Sequence, residues 1–196
     1  MLTDCHDSSL VVDGLRNQAG QPNTTVTCFY FDFTAETCAV DILGSLLKQL
    51  ISGMETVPDA ISRCLQEYTK CLYGRAGQLV QIMQMLLIIT SSWPIFICID
   101  ALDECDGAQL ARVLQLLKEI LDMSPRTRIF LTGRPHIRAE IEGHLSGRVA
   151  SVSVDPSKDD FIKYIRVRLA NDKSPDSMDD CLKADILNTV GNTSEM

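Results

Sequence analysis

The sequence predicts an α/β fold in which a parallel sheet is flanked by helices, and three observations carry that prediction. The run Ile95-Phe96-Ile97-Cys98-Ile99 is continuous and apolar, a pattern that suits a strand buried on both faces. Two further runs, Val26 to Phe33 and Arg128 to Gly133, are short and rich in aromatic, β-branched or aliphatic residues, as strands are. Between the runs, apolar residues recur every three or four positions. Strands therefore alternate with helices, the order of a parallel sheet with crossover connections.

Taken in order, residues 8–17 predict a short amphipathic helix already in progress, broken by Gly20-Gln21-Pro22-Asn23. Asp32 falls within the first strand, where an acid can face a ligand or serve as a cap or ion-pair partner. Asp41 to Ile51 carries Ile42, Leu46, Leu47 and Leu50 at helical spacing, with Asp41 placed as the cap. Pro58 opens a second helix through Ile61, Cys64, Leu65, Tyr68 and Leu72. A third runs from Gln78 to Ile89, its Met83 and Met85 filling the core. Three helices exceed what one crossover needs, so they cover a sheet face or form a small insertion. Pro94 then starts the apolar strand, and Gly107 to Met123 follows as a helix on Leu110, Leu114, Leu117 and Leu121, stopped by Ser124-Pro125. After the strand at 128–133, Pro135 suits a first helical position in a helix that reaches Leu145. Ser151 to Val154 reads as a last strand. Ser157 with Asp160 forms a capping-box variant opening a helix over 158–170. Residues 171–180 are a polar linker, and a final helix from Asp180 to Val190 is left without a packing partner of its own.

Composition narrows the function. With 196 residues, 45% hydrophobic and 22% charged, the chain makes one globular domain with a real core, or one and part of another. Asp and Glu number 26 against 18 Lys and Arg, for a net charge of -8; with no basic run, this opposes a nucleic-acid footprint. The eight cysteines show no CxxC pair and no Cys/His ligand spacing, and Cys5-His6 is too isolated for a metal site. They read as reduced thiols of a cytoplasmic compartment, with Cys28 and Cys98 acting as small hydrophobes inside apolar runs. Met1-Leu2-Thr3-Asp4 begins no secretory signal. The longest apolar stretch, Leu86 to Ile99, is interrupted by Thr90-Ser91-Ser92-Trp93-Pro94, short of the ~20 residues a membrane span needs. A soluble, cytoplasmic chain with no membrane or nucleic-acid partner is expected.

The chemistry concentrates just past the apolar strand. Ligands of parallel sheets sit beyond the carboxyl ends of the strands, which is where Asp100, Asp103 and Glu104 emerge. An apolar strand running into acids is the shape of a Walker B segment. Asp100 suits Mg²⁺, which keeps several waters and takes only one or two carboxylates directly, and a second acid a turn further on can orient or deprotonate an attacking water. The plain alternative is a core strand followed by an acidic helix start, which the helix dipole favours. Thr132 and Arg134 lie past the next strand. A right-handed βαβ unit sets these two strand ends side by side, so Thr132 and Arg134 can reach the phosphate end of a nucleotide whose metal Asp100 holds. An arginine there stabilises charge on a transferred phosphoryl group. Alternatively, Arg134 makes a structural ion pair with Asp103 or Glu104 and needs no ligand.

IFICIDALDEC (95–105) followed by IFLTGRP (129–135) resembles the Walker B and sensor-1 motifs of NACHT-type signal-transduction NTPases of the STAND class. In particular it resembles the nephrocystin-type N-terminal NACHT module of fungal proteins that carry ankyrin or WD40 repeats. CFYFDF (28–33) and LGSLLKQL (43–50) are similar to that family's second strand and following helix. DDFIKYI (159–165) is similar to the segment leading into its helical domain, and Ser194-Glu195-Met196 to a family motif cut short. The resemblance spans nearly the whole chain. It implies a P-loop NTPase-like fold, with 1–156 a partial NACHT core and 157–196 the start of a helical extension. By the same resemblance Asp100 binds Mg²⁺ through water, Asp103 and Glu104 position the hydrolytic water, and Thr132 and Arg134 bind the nucleotide, Arg134 sensing the γ-phosphate. Intact relatives are implied to bind ATP or GTP with Mg²⁺ and to use it as a switch for self-association. The family more often has Ser where this chain has Gly133, a change that leaves the arginine in place.

The phosphate-binding loop is the large departure. G-x-x-x-x-G-K-[ST] grips phosphates with backbone N–H groups and one lysine, yet none of the 11 glycines here precedes a lysine, and the first lysine is Lys48. By the family's order, residues 8–12 correspond to the helix that starts on that loop. The chain is therefore expected to begin just after the Walker A loop, with the Walker A strand missing from between the sensor-1 strand and the last one, leaving unpaired edges. The expectation is a partial NTPase domain that is inactive in this chain and binds no cofactor tightly, with protein partners or self-association. Two alternatives stand beside it. One is a former NTPase fold kept as an interaction module, the acids and Arg134 merely paired. The other is an unrelated Mg²⁺-dependent phosphohydrolase using Asp100 and Asp103.

Overall fold

Three short strands form one sheet, and residue alternation along them decides what each face does. The structure, a computed structural model, describes residues 11–17, 25–31, 37–70, 74–154, 157–171 and 179–193. Strands β1 (Thr25–Tyr30), β2 (Ile95–Asp100) and β3 (Arg128–Leu131) lie in the order β1-β2-β3 and pair in parallel. The register aligns Thr27 with Ile97 and Ile129, and Cys28 with Cys98 and Phe130. Side chains alternate between faces. One face therefore carries Thr27, Phe29, Ile97, Ile99, Ile129 and Leu131, and the other Cys28, Tyr30, Cys98, Asp100 and Phe130.

The first face rests on the main core, where Ile95, Ile97 and Ile99 are buried with the apolar sides of the helices. Helix α1 occupies 11–17; α2 (Ala39–Ser52), α3 (Asp59–Lys70) and α4 (Arg75–Ser92) follow β1, and α5 (Gly107–Met123) joins β2 to β3. α2 lies on β1, α4 packs against α2 and α5, and α3 packs against α4, so the three-helix stretch covers a sheet face. Met83 and Met85 are buried filler there. The Thr27 hydroxyl donates to the Leu46 carbonyl at 3.3 Å and so fixes β1 to α2. At the outer edge of β1, the Gln49 side-chain amide accepts from the Cys28 N–H at 3.0 Å and donates to the Cys28 carbonyl at 2.7 Å. A helix side chain thus stands where a neighbouring strand would pair.

Several elements differ from the sequence expectation. β1 ends at Tyr30, earlier than Phe33, and Asp32 lies outside the described residues. Asp41 is not the cap of α2. Cys38 takes that position, and the Asp41 carboxylate three residues inside accepts from the Cys38 N–H at 3.1 Å and its thiol at 2.8 Å. β3 stops at Leu131, and the segment after Pro135 begins as a 3-10 turn before α6 (Arg138–His144). Residues 151–154 are not a strand. A strand exists only through its ladder, and the described sheet ladders comprise β1, β2 and β3 alone; Val152 and Val154 are exposed.

The chain divides into two compact units, Met1–Val149 and Ala150–Met196. The second holds α7 (Lys158–Ala170) and α8 (Asp180–Thr193), which pack against one another, so the last helix does have a partner. The Ser157–Asp160 capping box forms as expected. No helix among the described residues is long and apolar enough to cross a membrane.

Candidate functional site

At the carboxyl end of β2 the backbone turns sharply. Ala101 has φ 55° and ψ 45°, a left-handed conformation that costs a side-chain-bearing residue roughly 1–2 kcal/mol. The reversal places Leu102–Glu104 in a single 3-10 turn, with Leu102 buried beneath it. Thr132, one residue past β3, ties this turn down through all of its polar groups. Its hydroxyl donates to the Asp100 carboxylate and accepts from the Ala101 N–H at 3.0 Å. Its carbonyl accepts from the Leu102 N–H at 2.9 Å, and its own N–H donates to the Ile99 carbonyl at 3.0 Å.

Arg134 closes the second half of the site. Its N–H donates to Asp103 Oδ1 at 3.2 Å, its Nε lies 3.3 Å from Asp103 Oδ2, and its Nη2 lies 3.3 Å from Glu104 Oε1. The Asp103 side chain is 5% exposed, that of Glu104 26% and that of Arg134 49%. Both oxygens of Asp103 are thus engaged and buried, while Glu104 keeps access to solvent. Gly133 makes the approach possible: a Cβ there would lie 2.7 Å from Ile137 Cδ1 and 3.4 Å from Asp103 Oδ1. A serine at 133 would require the end of the Ile137 side chain to move.

The five residues singled out from the sequence therefore gather at two adjacent strand ends, in two linked groups. Asp100 and Thr132 form the inner group; Asp103, Glu104 and Arg134 form the outer one. The ion pair foreseen as the ligand-free alternative for Arg134 is present. Asp103 is turned to Arg134, with both of its oxygens in contact with that residue.

Two neighbours escaped the sequence reading. Tyr30 is the register partner of Asp100, and its phenol pKa is raised by burial first and then by Cys28 and Asp100. Matching the ends of the two apolar runs would have pointed to it. Cys105, which follows the acids, is buried, and burial together with Asp106 and Glu140 pushes its thiol up to about 11; it remains a protonated thiol near neutral pH. A small concavity lined by Lys118, Leu121, Asp122 and residues 144–146 lies at the far end of α5 and takes no part, its Asp122 paired with Arg148 at 2.8 Å.

A divalent cation fits this donor set in one particular way. Asp100 is a single buried carboxylate with one oxygen held by a hydroxyl. No group of three or more His, Cys, Asp or Glu among the described residues converges as a cage. Such a site suits Mg²⁺ bound largely by water and phosphate oxygens, with the protein supplying one or two carboxylates.

No curated protein and no solved structure matches the chain. A family model described as nephrocystin 3, N-terminal, matches residues 7–134, well over half of the sequence and the whole stretch from α1 to Arg134, and the chain belongs to that family.

Proposed function

We propose that the chain forms the metal and γ-phosphate side of a NACHT-type nucleoside triphosphatase module, whose nucleotide state governs self-association in a signalling or scaffold protein. What supports this reading is the meeting of Asp100 with Thr132, and of Asp103 and Glu104 with Arg134, at neighbouring strand ends. Asp100 would hold Mg²⁺ through water, with ATP or GTP as the nucleotide. The Thr132 hydroxyl fixes the Asp100 carboxylate and so the direction of its second oxygen. Glu104, the more accessible acid, is the residue to accept a proton from an attacking water, while Asp103 holds the Arg134 backbone and guanidinium in register. Arg134, half exposed, exchanges its Glu104 contact for a phosphate oxygen. The metal, when bound, supplies charge neutralisation on the β- and γ-phosphates.

The 196 residues contain no Gly-Lys pair, so they carry no phosphate-gripping loop of the Walker A type, and the chain alone binds nucleotide weakly. A calorimetric titration with ATP at millimolar Mg²⁺ should show no micromolar site; a micromolar affinity would overturn this part of the reading. In a chain that carries such a loop ahead of residue 1, Glu104→Gln and Arg134→Ala should each lower turnover by about 10²–10³ with folding intact. Turnover unchanged by both substitutions would favour the interaction-module alternative.

A further inference from the structure

The sheet face opposite the main core carries a pair of thiols that nucleotide chemistry leaves unused. Cys28 on β1 and Cys98 on β2 are direct partners in the parallel ladder, so their side chains leave the sheet on the same face. Neighbouring strands lie ~4.8 Å apart, inside the ~4.4–6.8 Å between Cα atoms that a disulfide spans. No other two described cysteines are ladder partners.

The two sulfurs have unequal surroundings. Cys98 is 3% exposed. Cys28 is half-buried. Its Sγ has the Arg16 Nη2 of α1 at 3.8 Å and the Gln49 Oε1 at 3.7 Å, and Tyr30, two residues along the same face, reaches it as well. Cys28 is thus the partly exposed sulfur with a guanidinium beside it, the kind of surroundings in which reactive cysteines sit. A buried thiol waits on the adjacent strand.

We propose that Cys28 and Cys98 form a hydroperoxide-oxidisable dithiol, with Cys28 as the attacking sulfur and Cys98 as the resolving one. The Cys28 thiolate attacks the terminal oxygen of a hydroperoxide. An S–O bond forms, the O–O bond breaks, and the departing oxygen takes up a proton as water or alcohol. Cys98 then gives up its proton and attacks the Cys28 sulfenic sulfur. The S–S bond forms and the S–O bond breaks, hydroxide leaving with that proton as water. Two thiols are oxidised and one hydroperoxide is reduced. Closing the bond rotates Cys28 Sγ away from Gln49 and draws the two Cβ atoms toward ~3.8 Å. Strained disulfides of this kind are the readily reduced ones, so the modification is reversible. It does not depend on the nucleotide reading.

The test treats the reduced full chain with hydrogen peroxide, blocks remaining thiols, and maps peptides by mass spectrometry. A Cys28–Cys98 linked peptide pair that disappears on dithiothreitol treatment is the expected result. Cys98→Ser should trap a dimedone adduct on Cys28, whereas Cys28→Ser should leave Cys98 unlabelled. Arg16→Met should slow the oxidation of Cys28 about tenfold, and Arg16→Lys should restore most of the rate, with far-UV circular dichroism unchanged in both. Linkage only between separate chains, adducts forming first on Cys98, or Cys28 reacting no faster than the exposed Cys181 would each overturn the proposal.

Discussion

Thr132 holds the site together with one side chain, because its hydroxyl donates to a buried carboxylate while accepting from the backbone of a strained turn. Removing that hydroxyl leaves Asp100 buried without its partner, and a lost hydrogen bond to a charged group typically costs about 1.5–3 kcal/mol. Thr132→Val should therefore lower stability by ~2 kcal/mol in urea unfolding, and Thr132→Ser should recover most of it. Equal stability of the Val variant would show that water replaces the hydroxyl. The neighbouring Ala101 makes the opposite case. Relief of its left-handed strain, roughly 1–2 kcal/mol, exceeds the extra chain entropy that glycine brings, roughly 0.4–1 kcal/mol. Ala101→Gly should therefore raise the urea midpoint by an amount worth ~0.5–1 kcal/mol with an unchanged m-value. Asp100, Asp103, Glu104, Thr132 and Arg134 were legible in the sequence because acids and an arginine stand directly after apolar runs. The sign of φ at Ala101 and the alignment of Tyr30 with Asp100 were not, since both follow from how distant segments close on one another.

At the scale of elements, α2 shows how a local signal can be right in kind and wrong in place. Asp41 is a strong capping residue by type, yet it works from inside the first turn, reaching back to Cys38, a residue whose identity gives no capping signal. The Cys38 thiol first, and then its backbone N–H, hold the Asp41 carboxyl below its ordinary 3.8. A depressed carboxyl contributes stability that is present above the ordinary value and lost as pH falls through the folded one. The benefit to α2 should therefore disappear below about pH 3.8. Cys38→Ala should cost ~0.5–1 kcal/mol at neutral pH and move the onset of helix loss in an acid titration, followed by circular dichroism, to higher pH. An unmoved onset would show that the backbone N–H alone sets the Asp41 shift. The capping box at Ser157 was readable because it is local from end to end. Residues 151–154 were misread because alternating Ser and Val is only half of a strand, the other half being a neighbour.

For the molecule as a whole, every residue of the candidate site lies in the unit ending at Val149, and the exposed Val152 and Val154 follow directly after it. Limited proteolysis by an elastase-type enzyme should cut first within 150–154. The amino-terminal fragment should then keep its cooperative unfolding; loss of that transition on cleavage would show that the two units fold only together. The strand–helix order, and hence the class of fold, was legible at this scale because each burying face repeats with its own period. The order of the strands across the sheet was not something the periods alone could decide.

The amide of Gln49 has a bearing on how copies of this chain can meet. With the Cys28 backbone groups already satisfied by that side chain, a strand added along β1 would have to displace Gln49 or leave its own backbone groups unpaired at that point. Edge-to-edge growth of copies through β1 is therefore opposed at Cys28 by a side chain of the same chain.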